Sequence, residues 1–159
     1  MRRRSLPRSS LLALIFAAAA FVAPAHAVAP PDQYGEFVAQ SFTIKDEQTR
    51  LEWERTVRGP LQYNDVSGAK AFCEGISMRL PTLKELLTLV DETPHQEYEV
   101  NQVVSQWIDE NAFPKTPTTT AYWTASPKGN DYWTVDFRDG IPKSASPGDS
   151  RFVRCVRSY

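Results

Sequence analysis

The chain has 159 residues, a formal net charge of -1 and a charged fraction of 23%. This length fits one domain with a small appendage, and it excludes a TIM barrel or a two-domain dehydrogenase. With 42% hydrophobic residues, the composition also excludes a disordered polyampholyte. The charge balance gives no reason to expect nucleic-acid binding. Composition therefore predicts a small globular domain.

Residues 1–27 have the pattern of a secretory signal peptide. Four arginines precede an apolar run from Leu11 to Val22, and the small residues Ala25 and Ala27 follow. The apolar run is shorter than the roughly 20 residues that cross a bilayer. We predict cleavage after Ala27, export to the periplasm or the extracellular space, and no membrane insertion afterwards. An uncleaved anchor and a twin-arginine signal are the alternatives. Cleavage would remove four arginines and no acid, which takes the formal charge from -1 to -5.

The remaining chain is predicted to be a tether over residues 28–36 and a single domain over residues 37–159. Residues 42–45 and 50–57 read as a β-hairpin, because apolar and charged side chains alternate in the second segment. A helix that Asn64 or Asp65 can cap follows it, with apolar side chains at helical spacing as far as Ile76.

A second helix has the clearest local signal. Thr82 and Glu85 are placed as a capping box, in which each side chain can bond to the backbone N–H of the other residue. Residues 91–121 contain no confident long element, although Val103 to Ile108 could form a short helix. Strands are predicted over 122–125, 132–137 and 151–157, with a turn at Asp139-Gly140 and a loop over 144–149.

Cys73 and Cys155 are the only cysteines. An isolated pair in an exported domain usually forms a disulfide, and free thiols are the alternative. Neither cysteine has a CxxC neighbour, which argues against zinc or thioredoxin chemistry. The chain after residue 27 has one histidine, His95, so no Ser/His/Asp catalytic set can be assembled.

Several segments together resemble a known bacterial family. They are DEQTRLEWER at 46–55, AKAFC ending at Cys73, RLPTLKELL at 79–87, YWTAS at 122–126 and RFVRCVR at 151–157. This combination resembles the domain found at the C-terminus of the Legionella collagen-like adhesin, and it spans about residues 42–158. The sequence departs from the family pattern at Arg50, Met78 and Thr124-Ala125, where Gly, Trp and Ser-Ser are usual.

The resemblance implies an α+β, C-type-lectin-like fold. A twisted antiparallel sheet would be flanked by two helices, and one disulfide would join the first helix to the last strand, which fits Cys73 and Cys155. Arg79-Leu80-Pro81-Thr82 would be the turn into the second helix, and Arg79 would make a buried or half-buried ion pair of structural importance.

A ligand-binding surface is predicted from the irregular segments 91–121 and 126–132. Recognition residues are often held on loops of a rigid scaffold, and ligands of C-type-lectin-like folds are usually held in this region. Trp107 has the alternative reading of a core residue. The candidate binding residues are Tyr98, Asn101, Trp107, Lys128, Asn130, Asp131 and Tyr132.

The predicted function is that of a secreted or periplasmic, non-catalytic binding or adhesion module for a glycan or a cell-surface protein. An anionic glycan would contact Lys128, with Arg138 and Lys143 nearby, and a neutral glycan or a protein surface is ranked equally. The triplets typical of calcium-dependent lectins are absent, so no metal or other cofactor is expected. The alternatives are an enzyme similar to the formylglycine-generating enzymes and a structural subunit of another exported protein. The oligomeric state stays open.

Overall fold

The structure is a computed structural model that describes residues 32–35, 41–57, 65–99 and 101–159. The predicted signal peptide and most of the predicted tether lie outside the described residues. None of the helices in the described ranges is long and apolar enough to cross a membrane. The elements are β1 (Thr43–Asp46), β2 (Leu51–Glu54), α1 (Val66–Gly75), α2 (Leu83–Leu87), β3 (His95–Glu99), β4 (Gln102–Gln106), β5 (Tyr122–Lys128), β6 (Asp131–Asp136), β7 (Ile141–Ala145) and β8 (Val156–Ser158).

The architecture is α+β with antiparallel strand pairing, as predicted, but the strands form three sheets and not one. Their orders are β1-β2-β8, β3-β4 and β5-β6-β7 within the described residues. The predicted hairpin is confirmed as β1 and β2. Of the two candidate helix caps, Asp65 caps α1, and its carboxylate accepts the Gly68 N–H.

The two helices pack against opposite faces of β5. Tyr122 belongs to one core cluster together with Leu86 of α2, whereas Trp123 belongs to a second cluster together with Ala69 and Cys73 of α1. Consecutive residues of a strand point to opposite faces, so these two neighbours assign each helix to its own side. The β5-β6-β7 sheet is therefore the scaffold of the domain.

The predicted short helix over Val103 to Ile108 is wrong, because β4 occupies most of this segment and pairs with β3. Val103 is exposed and Val104 is buried, which is the alternation of a strand. Two adjacent β-branched residues also favour extended backbone. Asn101, in the connection between the strands, has φ 65°, a conformation that asparagine tolerates better than most residues.

The C-terminal strands also differ from the sequence-based boundaries. The loop predicted over 144–149 overlaps the end of β7, and β7 itself was not predicted. The final strand, predicted over 151–157, is the short β8, while Phe152 makes an isolated parallel bridge with Tyr122. The chain therefore contacts two different sheets within seven residues, which no single regular strand could do.

The predicted disulfide between Cys73 and Cys155 is confirmed. Both cysteines are fully buried, and the bond joins α1 to the residue immediately before β8. The bond thereby ties α1 to the strand that completes the β1-β2-β8 sheet.

The Arg79-Leu80-Pro81-Thr82 turn fixes the start of α2. The capping box of Thr82 and Glu85 is confirmed, and Arg79 forms two hydrogen bonds to the Glu85 carboxylate, at 2.7 and 2.8 Å. This guanidinium holds the pKa of the Glu85 carboxyl below its ordinary value. The ion pair is as expected, but the Arg79 side chain is 43% exposed and therefore lies nearer the surface than predicted. Leu80 and Pro81 are buried beneath it.

Arg154 is fully buried and joins two distant segments of the chain. Its guanidinium donates to the carbonyl oxygens of Glu54, at 2.6 Å, and Arg55, at 2.9 Å, and to the hydroxyl of Thr116, at 2.8 Å. The guanidinium carbon also lies 4.7 Å from the centre of the Phe113 ring. The side chain therefore holds the segment before β5 against the end of β2.

Candidate functional site

The β3–β4 hairpin presents two apolar side chains to solvent. Tyr98 and Val103 are directly opposite each other in the ladder and are 70% and 62% exposed. The next pair on the same side is Gln96 and Ser105, whose side chains are hydrogen-bonded at 2.9 Å. These four residues are named the hairpin face. Val104, on the other side of the strand, is buried.

The base of the hairpin is fixed to the end of β6. The Trp107 N–H donates to the Phe137 carbonyl at 2.8 Å, and the Trp107 carbonyl accepts the Asp91 N–H at 3.0 Å. Gly140, at φ 69°, packs closely here, since a Cβ on it would lie 2.9 Å from Val90 Cγ1 and 3.4 Å from Trp107 Cε3. Trp107 is thus half-buried, as part of the anchor of the hairpin.

A cavity of about 210 Å³ lies beside this anchor, and His95 Nε2 stands 3.7 Å from Glu110 Oε2 in it. Within the described ranges, no group of three or more His, Cys, Asp or Glu side chains is arranged to hold a metal ion. The residues that line the cavity are Asp91, Thr93, His95, Asp109, Glu110 and Asn111.

The second group of candidate residues lies around the β5–β6 turn, where Lys128 and Asn130 are exposed and Asp131 and Tyr132 are half-buried. Lys128 Nζ sits 4.1 Å above the centre of the Trp133 ring. The ring of Tyr132 packs edge-on against Trp123, with 6.4 Å between ring centres. Asp131 accepts a 3.4 Å hydrogen bond from a serine hydroxyl, whereas Asn130 is exposed in the turn.

The structure does not bring these two groups together. Tyr132 lies near the start of β6, and Phe137, which anchors the hairpin base, follows its end. Five residues of extended strand span about 16 Å, at roughly 3.3 Å per residue. Tyr98, Asn101 and Trp107 therefore lie at one end of the sheet, and Lys128, Asn130, Asp131 and Tyr132 lie at the other. A ligand-binding role for either group stays a prediction.

A third surface is a polar cleft of about 250 Å³ on the β6–β7 side. Its Lys143 Nζ is 2.8 Å from carboxylate oxygens of both Asp136 and Asp139, which raise the pKa of the lysine. Its Arg151 pairs with Asp149 at 3.0 Å. Acidic neighbours thus largely neutralise the cations of this cleft, which weakens it as a site for an anionic glycan. The lining residues are Thr119, Thr120, Ala121, Thr134, Asp136, Lys143, Ser144 and Arg151.

Sequence reasoning missed Val103 as an exposed residue of the hairpin face, because it assigned this valine to a helix. It also missed Thr134 and Arg151 as lining residues of the cleft. The adjacent β-branched residues Val103 and Val104, which follow a turn-forming asparagine, were the usable signal for a strand here. Nothing local indicated the cleft, since its walls come from segments separated along the chain.

These features define a small disulfide-bonded α+β domain with an exposed β-hairpin at one end of its central sheet. Residues 42–157 match the family model of the Lcl C-terminal domain, and the chain belongs to this family, which is associated with an adhesin. The match confirms the resemblance in the sequence motifs. No curated protein and no solved structure matches the chain significantly.

Proposed function

We propose that this chain is an exported, non-catalytic binding domain that recognises a glycan or a cell-surface protein through the hairpin face. The observation that carries the proposal is the exposure of Tyr98 and Val103 side by side on a two-stranded hairpin. Most large apolar side chains of the domain are buried, so an exposed adjacent pair is a candidate contact surface. A tyrosine suits either ligand, because its ring can stack and its hydroxyl can hydrogen-bond.

The fold and the family support a binding role. The arrangement of two helices on opposite sides of one sheet, with a disulfide from α1 to the residue before β8, is compatible with a C-type-lectin-like fold. The adhesin association of the family favours adhesion over catalysis. The hairpin face contains no charged side chain, which favours a neutral glycan or a protein over an anionic glycan.

The binding proposal predicts a specific effect of Tyr98→Ser. A glycan array, with and without calcium, and binding to whole cells would first identify a ligand for the exported protein. Tyr98→Ser should then weaken binding by at least about tenfold, the loss expected when an exposed aromatic contact is removed from an interface. The melting temperature should barely change, because the ring is 70% exposed.

Phe42→Ser is the matched control for this experiment. Phe42 is 60% exposed, so its loss removes a similar apolar surface outside the hairpin face. Binding that survives Tyr98→Ser, or that falls equally in Phe42→Ser, would show that the hairpin face does not hold the ligand.

Export predicts a shortened mature chain. The basic, apolar and small-residue segments of residues 1–27 should direct cleavage after Ala27, so intact-mass analysis of the exported protein should give a chain that starts at Val28. Ala27→Leu should block this cleavage, because a signal peptidase requires a small side chain there. Recovery of the full-length chain from washed membranes would instead support an uncleaved anchor.

A further inference from the structure

β4 has an edge without the protection that the other strand edges carry. Among the described residues, backbone contacts cover three of the other edges. Arg79 bridges Val156 of β8, Tyr34 bridges Asp46 of β1, and Phe152 forms backbone hydrogen bonds beside β5. The remaining edge of β7 contains a proline and a lysine, which oppose strand addition, and β3 contains two glutamates.

The sequence of β4, Gln-Val-Val-Ser-Gln, has no charge, no proline and no glycine. Within the described part of the chain, no backbone hydrogen bond joins Val103, Val104 or Ser105 to a strand other than β3. An uncharged, β-branched open edge is one that soluble proteins normally cover or block. The contrast with the other edges therefore indicates that another strand covers β4.

The ladder determines which backbone groups of β4 are available. Pairs that exchange two hydrogen bonds alternate with pairs that exchange none in an antiparallel ladder. The two-residue connection closes on Glu99 and Gln102, so the positions of β4 that bond to β3 are Gln102, Val104 and Gln106. The N–H and C=O groups of Val103 and Ser105 consequently point away from β3, to the open edge.

We propose that a second copy of this chain pairs antiparallel with β4, so that the two β3–β4 hairpins form one four-stranded sheet. A two-fold axis at Val104 places Val103 of each copy opposite Ser105 of the other. In this register, the N–H and C=O groups of Val103 and Ser105, four in each copy, all form hydrogen bonds to the other copy. A shifted register would leave some of these groups unbonded.

A second copy of the chain suits the open edge of β4, because the sequence of this strand is complementary to itself. Read outward from Val104, Gln-Val-Val-Ser-Gln is nearly symmetric and carries no charge, so the two-fold pairing brings no like charges together. Pairing through β3 would bring the glutamates of two copies together. The paired sheet also covers part of the exposed Val103 side chain and places two Tyr98 rings on one face.

Sedimentation velocity of the exported protein tests the pairing. Concentrations from about 1 µM to about 1 mM cover dissociation constants of weak to moderate affinity. The mass should rise from monomer to dimer with concentration. Val103→Pro removes one outward N–H from each copy and should raise the dimer dissociation constant at least about tenfold. Val103→Lys should have the same effect, because it places like charges near the axis.

Gln96→Pro and Gln96→Lys are the matched controls. Gln96 lies opposite Ser105, so its N–H also points outward, but from the edge of β3. These variants should dimerise as the unchanged protein does, with circular dichroism spectra that match it. A monomer at every concentration, or self-association that the Val103 and Gln96 variants alter equally, would overturn the pairing.

The pairing does not depend on the proposed ligand-binding function. Tyr98→Ser alters the hairpin face and leaves the outward backbone groups of β4 in place, so it should bind ligand weakly and still dimerise. A Tyr98→Ser protein that still dimerises, while Val103→Pro does not, would support the pairing whatever the ligand measurements show.

Discussion

Replacing Arg154 with methionine is expected to lower the free energy of unfolding by about 3–5 kcal/mol, the range for removing one member of a buried charged network. Methionine can occupy the space, but it donates no hydrogen bond. The carbonyl oxygens of Glu54 and Arg55 and the hydroxyl of Thr116 would each lose a donor. Buried acceptors that lose their donors cost more than the hydrogen bonds themselves contribute.

The charge of Arg154 matters as well as its hydrogen bonds. Burial lowers the pKa of the guanidinium, while the nearby Glu54 carboxylate opposes that shift. Glu54 is itself fully buried, and its carboxylate accepts the Cys155 N–H at 3.2 Å. Loss of the arginine would therefore leave a buried negative charge with weaker compensation.

Arg157→Met is the matched control, since both arginines belong to the Val-Arg-Cys-Val-Arg segment. Arg157 pairs with Glu52 at 2.8 Å, but its side chain is 46% exposed and water can replace part of the pair, so its loss should cost only about 1 kcal/mol. Urea unfolding of both variants, followed by tryptophan fluorescence, measures the difference. Equal losses in the two variants would show that the Arg154 network contributes little.

The Arg154 network also shows what sequence reasoning could not reach. The five charged residues of RFVRCVR and LEWE look like ordinary solvated charge on the outer faces of strands. Glu54 and Arg154 are 100 residues apart, and only the pairing of β2 with β8 brings them into contact. A local sequence pattern cannot predict this kind of contact, because the contact depends on which strands become neighbours in the fold.

Elements with strong local signals were predictable. The capping box needs only Thr82 and Glu85, three residues apart, and its geometry was confirmed. The helix that contains Cys73 has its apolar positions at one regular spacing. The disulfide was predictable too, because Cys73 and Cys155 are the only cysteines of the chain, and the family resemblance agreed with this pairing.

The candidate site was predictable only in part. Tyr98 and Asn101 were selected from an irregular segment, and the structure places both on one exposed hairpin. Short apolar runs such as Val103-Val104 fit a helix or a strand equally well by periodicity, so the hairpin itself was missed. The separation of Tyr98 from Tyr132 follows from the length of β6, a tertiary distance that sequence order does not reveal.

The loss of the Cys73–Cys155 bond is the second large expected effect. The bond closes a loop of 82 residues, for which the chain-entropy relation gives about 4.5 kcal/mol, and measured losses in small exported domains are about 2–5 kcal/mol. Cys73→Ala and Cys155→Ala should each lower the free energy of unfolding within this range. Alanine is the better replacement than serine, because both positions are fully buried and a hydroxyl there would need a partner.

A double-mutant cycle separates the bond from the packing of its two sulfur atoms. Either single change breaks the same bond, so the double variant Cys73→Ala/Cys155→Ala should be only slightly less stable than each single variant. A thiol reductant should destabilise the unchanged protein to the level of the double variant and should leave that variant unaffected. Two single losses that simply add in the double variant would contradict the disulfide, because additive losses are those of two independent buried thiols.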